Sequence, residues 1–131
     1  MRRRHLPLLA ASVATTFSTA VRAQSWPTRP VRIVVTFPPG GSSDIVARVL
    51  AEALSARLPG RVIVDNRPGA GGTLAAGHVA GQPADGYTLM LSNTAPVVTS
   101  PPLYPQAGYD PVASFTHIAY LGATPLVVMV N

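Results

Sequence analysis

No cysteine and no lysine occur in the 131 residues, and only five residues are acidic. The missing cysteine excludes disulfides, thiolate metal sites, a cysteine nucleophile and a lipid-modified N-terminal cysteine together. The missing lysine excludes the phosphate-loop motif, which needs Gly-Lys-Ser/Thr after its spacer. All ten basic residues are therefore arginine, and four of them (Arg2, Arg3, Arg4, Arg22) fall within the first 22 residues. From Ala23 onward six arginines face five acids, a net charge of +1, so the high isoelectric point belongs to the start of the chain. It gives no indication of nucleic-acid binding. Residues 6–21 form the one long apolar run, but Thr15, Thr16, Ser18 and Thr19 dilute it, and it is too short and too polar to span a bilayer.

That run has a different meaning. A charged start at residues 2–4, the apolar stretch and small residues at Val21 and Ala23 form the pattern of a secretory signal peptide. The expectation is cleavage after Ala23, with residues 1–23 removed and Gln24 as the new start. The paired arginines lack the phenylalanine that the twin-arginine route prefers, so export by the general secretory route is expected. The exported protein is expected in the periplasm.

The organising stretch of the remaining chain is Val31-Arg32-Ile33-Val34-Val35-Thr36-Phe37, followed by Pro38-Pro39-Gly40-Gly41-Ser42-Ser43-Asp44. β-Branched and apolar residues at 31–37 predict a buried strand. Beyond Gly41 the period becomes helical, with Val46, Leu50, Leu54 and Leu58 four apart and Val49 and Ala53 beside them. Ser42, Ser43 and Asp44 are all capable N-caps. A Gly-rich turn that opens a helix presents free N–H groups and the positive end of the helix dipole, which favours an anion. The same turn also serves as a plain tight βα connection.

Pro59-Gly60 ends the helix, and residues 61–65 predict a second strand. Asn66-Arg67-Pro68-Gly69-Ala70-Gly71-Gly72 is a second Gly-rich loop, and residues 73–80 predict a helix of small residues. After the turn Pro83-Ala84-Asp85-Gly86, residues 87–91 predict a third strand that runs into Ser92-Asn93-Thr94. Strand, helix, strand, helix, strand argues for an α/β unit with a mainly parallel sheet. In such sheets ligands sit beyond the carboxyl ends of the strands, where all three polar or Gly-rich loops fall. Residues 96–105 are Pro-rich and are expected to be irregular, with one helical turn; Asp110 is a cap with Pro111 behind it; residues 116–123 predict a strand.

No catalytic constellation assembles from the residues. Gly69-Ala70-Gly71 has Leu74 where the dinucleotide fingerprint needs glycine, and Gly40-Gly41-Ser42-Ser43-Asp44 breaks the Gly-x-Ser-x-Gly elbow at its last position. His78 reads as a helix-surface residue and His117 as one bordering a strand. No cofactor or metal is implied, and the chain reads as a binder. The alternative is a secreted α/β hydrolase or esterase with Ser42 or Ser43 as nucleophile.

Several motifs then fall in one order: Trp26-Pro27, Phe37-Pro38-Pro39-Gly40-Gly41 with Asp44, residues 66–72 as quoted, Asp85-Gly86-Tyr87-Thr88-Leu89, and Tyr109-Asp110-Pro111. Together they resemble the extracytoplasmic solute receptors of the tripartite tricarboxylate transporter system, the Bug family. The resemblance implies a type II periplasmic-binding-protein fold, two α/β lobes closing on a small carboxylate, with membrane permease subunits as partners. It implies that one lobe's half of the cleft is formed by the loop Phe37 to Asp44 and by the residues after the third strand. The candidate contacts are Phe37, Pro39, Gly40, Gly41, Ser42, Ser43 and Asp44, with Gly71 from the second loop and Ser92, Asn93 and Thr94 from the third. In the family, backbone amides and ordered water hold the carboxylate. Family members are more than twice as long, so residues 24–131 are expected to be a partial first lobe, without the second lobe. An apolar strand at 126–130 is expected to lead toward it.

Overall fold

The computed structural model describes residues 25–123 and residue 129. The expected leader, its cleavage after Ala23, the start at Gln24 and the strand at 126–130, Met129 apart, lie outside the described residues.

Three parallel strands form one sheet in the order β2-β1-β3: β1 is Val31–Val35, β2 is Val62–Asn66 and β3 is Thr88–Leu91. Val31 aligns with Val62 on one side, and Arg32 with Thr88 on the other. The first crossover is helix α1, Ser42–Ser55, and the second is helix α2, Thr73–Ala80. The chain steps from β1 to β2 and then back across β1 to β3. Right-handed crossovers running in opposite directions place their helices on opposite faces of the sheet.

The side-chain alternation of β1 serves both faces. Val31, Ile33 and Val35 pack in one cluster with Ala47 and Ala51 of α1 and Val62 of β2, and Leu50, Leu54 and Leu58 close its margin. On the other parity, Val34 and Thr36 are fully buried, as are Ala75 and Ala76 of α2. Alanine on both helices keeps their axes close to the sheet. Val46 and Val49, although in helical period, stand 44% and 63% exposed, because α1 turns its small residues and not its valines inward. The helix also stops at Ser55, and Leu58 reaches the core from the turn beyond it.

The far end of the sheet is fastened by side chains from the lead-in. Trp26 packs on Tyr87 with ring centroids 5.9 Å apart, and the Arg29 guanidinium lies 4.1 Å from the Tyr87 ring centroid. Arg29 also bonds Asp85 at 2.8 Å, and the Thr28 N–H donates to the Tyr87 hydroxyl at 2.9 Å. On β2, one oxygen of Asp65 accepts from both Arg32 and Arg67 at 3.0 Å. Partial burial pushes the Asp65 carboxyl up, and the bonds from Arg67 and Arg32 outweigh it, leaving the group below its ordinary value.

Two stretches differ from their sequence reading. The Pro-rich segment is more helical than one turn: a π turn at Ala95–Thr99 runs into α3, Ser100–Leu103. Proline is tolerated at the first positions of each piece, where its missing N–H has no role. Residues 116–123 form no strand, and His117 borders none; its ring lies 3.2 Å from the Pro111 carbonyl instead. A strand needs a ladder partner, and Ile118 and Tyr120 stand 78% and 82% exposed with none beside them among the described residues. Asp110 does cap: its carboxylate accepts from the Val112 and Ala113 N–H groups at 2.7 Å, closing a turn.

Candidate functional site

All three strands are parallel, so the loops after β1, β2 and β3 leave at one edge, as the α/β reading requires. The strand order reverses at β1, and the crevice between the carboxyl ends of β1 and β3 is where such sheets hold ligands. A hollow of about 250 Å³ lies there, lined by Phe37, Pro38, Pro39, Gly41, Ser42, Ser43 and Asn93. Six of the candidate contacts therefore meet in one place. A larger hollow, about 400 Å³, lies on the flank of α1 and β2 beside Arg48, Glu52 and Arg61. It is away from the loop edge and has a mixed-charge rim, so the smaller hollow is the better candidate.

Its floor is the start of α1. Gly41 is the N-cap and supplies no side chain, and neither Ser42 nor Ser43 caps the helix. Among the described residues, the backbone N–H groups of Gly41, Ser42 and Ser43 donate to no protein acceptor. Three free donors at the positive end of a 14-residue helix make an environment that favours a carboxylate. Gly40 has φ +85°, the left-handed conformation that favours glycine, and this turns the chain sharply into the helix. From the opposite wall, Asn93 accepts from the Ala95 N–H through Oδ1 at 2.9 Å, and its Nδ2 has no protein acceptor among the described residues.

The other candidates are placed differently. Asp44 is 3% exposed and faces the protein. One oxygen accepts from the Gly40 N–H at 2.9 Å and from Arg48 Nε at 3.0 Å; the other accepts from Asn66 Nδ2 at 3.0 Å. The Arg48 bond first, then the Gly40 and Asn66 bonds, lower its pKa to about 2 against the opposing effect of burial. Gly40 does not line the hollow; its N–H is held by Asp44. Gly71 lies behind, where its carbonyl accepts from Ser100 Oγ at 3.1 Å. Ser92 donates to the Asn93 carbonyl at 2.9 Å, and neither Ser92 nor Thr94 lines the hollow. Neither Ser42 nor Ser43 makes a hydrogen bond to a histidine among the described residues, and there is no group of three or more metal-ligating side chains among them.

Two residues of the site's framework, Asn66 and Arg48, are absent from the sequence reading of contacts. Arg48 was visible as the i+4 partner of Asp44 on a helix. Asn66 gave a weaker signal, a polar residue ending a strand.

A parallel α/β lobe with free backbone donors at its ligand edge suits a solute-binding lobe, and similarity to known proteins assigns the class. Residues 46–131 match the family model described as the tripartite tricarboxylate transporter family receptor, and the chain belongs to that family. It is 39% identical over 130 residues to protein BugT of Bordetella pertussis, covering 98% of this chain and 40% of BugT. It is 41% identical over 124 residues to a UPF0065 protein of Bordetella bronchiseptica, covering 95% and 36%. Among solved structures, MatC from Rhodopseudomonas palustris with bound malate is 37% identical at a TM-score of 0.65, over 70% of this chain and 31% of MatC. An R. palustris protein with adipate is 42% identical at a TM-score of 0.63, over 66% and 29%. The periplasmic binding protein BugD is 42% identical at 0.59, over 69% and 30%. The fold is that of a periplasmic-binding-protein lobe, and the chain spans about 40% or less of the length of these relatives.

Proposed function

We propose that this chain supplies one lobe's half of the cleft in a periplasmic receptor for a small organic carboxylate, feeding the membrane subunits of a tripartite tricarboxylate transporter. The observation that carries the reading is the hollow at the α1 start, with the free N–H groups of Gly41, Ser42 and Ser43 and the amide of Asn93 opposite. A carboxylate there accepts backbone hydrogen bonds at the positive end of the dipole without needing a cationic side chain. The malate and adipate bound to the two similar proteins belong to the same chemical class. Residues 1–23 serve as the signal peptide and residues 24–131 as the partial first lobe. Asp44 acts on the ligand indirectly, since its oxygens are already engaged.

Gly41→Val tests the site. Gly41 has φ −77°, open to any residue, and an added Cβ would meet only the Pro38 carbonyl at 3.5 Å, so neither the backbone nor the first side-chain carbon is strained; an unchanged urea midpoint checks that the variant folds. In a full-length receptor carrying residues 25–123 of this chain, the variant weakens malate or adipate binding by about ten- to hundredfold. That range corresponds to losing one charge-assisted hydrogen bond, roughly 1.5–3 kcal/mol. Unchanged affinity by calorimetry moves the site elsewhere. Labelling of Ser42 or Ser43 by a fluorophosphonate favours the hydrolase reading instead.

A further inference from the structure

Asn66 closes β2, yet its side chain belongs to the loop after β1. Its Nδ2 donates to the Phe37 carbonyl at 3.1 Å and to Asp44 Oδ1 at 3.0 Å. Asp44 in turn holds the Gly40 N–H at 2.9 Å through its other oxygen. One amide thus fastens both ends of the Phe37–Gly40 turn, the first directly and the second through Asp44. The turn has no other long-range anchor of this kind among the described residues: Pro38 and Pro39 carry no N–H, and an added side chain at Gly40 would meet nothing within 4 Å. An exposed Pro-Pro-Gly-Gly turn left to itself samples many conformations, and the donors behind it would lose their common aim.

We infer that Asn66 is the positioning residue of the carboxylate site: by bridging the Phe37 carbonyl and the Asp44 carboxylate, it fixes the turn that aims the Gly41, Ser42 and Ser43 N–H groups. The affinity part of this inference rests on the proposed carboxylate site, whereas the positioning part does not. An amide is suited to the task. Its two N–H hydrogens serve two acceptors at once, and it is neutral, so it adds no charge beside an anionic ligand. A carboxylate in its place would face Asp44 and lose both bonds. The charged groups around it are Asp44 and Arg48 on α1, with Arg48 Nη2 3.5 Å from Asn66 Oδ1. On its own strand and just beyond, Asp65 and Arg67 engage each other and Arg32.

The test uses the 131-residue chain, nitrogen-15 labelled, as wild type, Asn66→Ala and Asn66→Asp, with malate as the probe. In amide exchange without ligand, Gly40 in Asn66→Ala exchanges at least tenfold faster than in wild type. The Ile45 N–H, which donates to the Gly41 carbonyl at 3.0 Å, and the β1 amides keep their rates. Unchanged Gly40 exchange overturns the inference, and so does equal acceleration throughout β1, which makes Asn66 a general stability residue. In malate titrations followed at the Gly41, Ser42 and Ser43 amides, Asn66→Asp binds at least tenfold more weakly than wild type at pH 8. At pH 6 the deficit is no larger than at pH 8, because protonation of the introduced carboxyl, favoured by Asp44 and opposed by Arg48, can only restore a donor. The wild-type-to-variant ratio at each pH cancels the titration of malate itself. A ratio near one at both values overturns the inference. If wild type shows no malate shifts at all, the half-cleft does not bind by itself, the full-length Gly41→Val measurement decides the carboxylate site, and the exchange of the Gly40 amide alone decides for or against positioning by Asn66.

Discussion

The Gly40 N–H donates to the carboxylate of Asp44 four residues later, at 2.9 Å, and this bond turns a Gly-rich loop into the fixed entrance of α1. An acid at the third helical position that reaches back over the N-cap satisfies a donor while complementing the helix dipole. The carboxylate is spent on the protein, and the ligand is left with the backbone.

Acid should expose this dependence. The Asp44 pKa is lowered from 3.8 to about 2 in the folded chain, chiefly by the Arg48 bond. A folded pKa below the unfolded one stabilises at pH values above the unfolded pKa, and the benefit is lost as pH falls through the folded pKa. Urea midpoints should therefore drop between about pH 4 and pH 2, and drop less in Asp44→Asn. A carboxyl carbon-13 titration of Asp44 with its midpoint near 4 contradicts this.

Gly72 and Gly108 offer a paired comparison. Both have positive φ, +88° and +75°, but an added Cβ at Gly72 would come within 3.1 Å of Pro96 and Thr36, while at Gly108 it would meet nothing. Gly108→Ala should cost about 1 kcal/mol from backbone strain alone, and Gly72→Ala clearly more. Equal unfolding free energies for the two variants would show that the packing of Gly72 beneath Pro96 is slack.

Tyr109→Phe removes one hydroxyl and little else. That hydroxyl donates to the Pro96 carbonyl at 2.6 Å, and the ring stays edge-on to Phe115 at 5.8 Å. A loss of about 0.5–1.5 kcal/mol is expected in chemical denaturation. The bond spans 13 residues and ties the turn after α3 to the π turn, so the loss should appear with faster exchange in residues 95–103. A change confined to residues 109–115 would mean that the two pieces are independent.

β3 pairs with β1 on one side and with no strand on the other among the described residues. Half of its N–H groups thus face away from a ladder. Amide exchange in the isolated chain should divide β3, with those pointing toward β1 slow and the rest fast, while β1 is slow throughout. Uniform protection along Thr88–Leu91 would reveal a further strand seated at that edge.

The order of strands and helices was legible because each element carries its own period: β-branched residues at 31–35 and small helical residues at 73–80 read correctly from their side chains alone. The convergence of three loops followed from parallelism. Other features depend on distant partners. Val46 and Val49 had the right spacing for a core that α1 meets with Ala47 and Ala51, and only the distance between helix and sheet decides between them. Residues 116–123 had strand composition, but composition supplies no neighbour. Asp44 read as a cap or a ligand contact, and what settles its orientation is Asn66, 22 residues away in sequence.

Trp26 is the chain's single tryptophan, and it packs at a tilt against Tyr87, at the amino ends of the strands. The hollow lies at their carboxyl ends. Indole emission from this protein is therefore a clock for assembly of the lead-in on the sheet, and is optically blind to what occupies the opposite edge. A ligand screen that watches intrinsic fluorescence would score true binders as silent, whereas heat release or backbone amide shifts would register them.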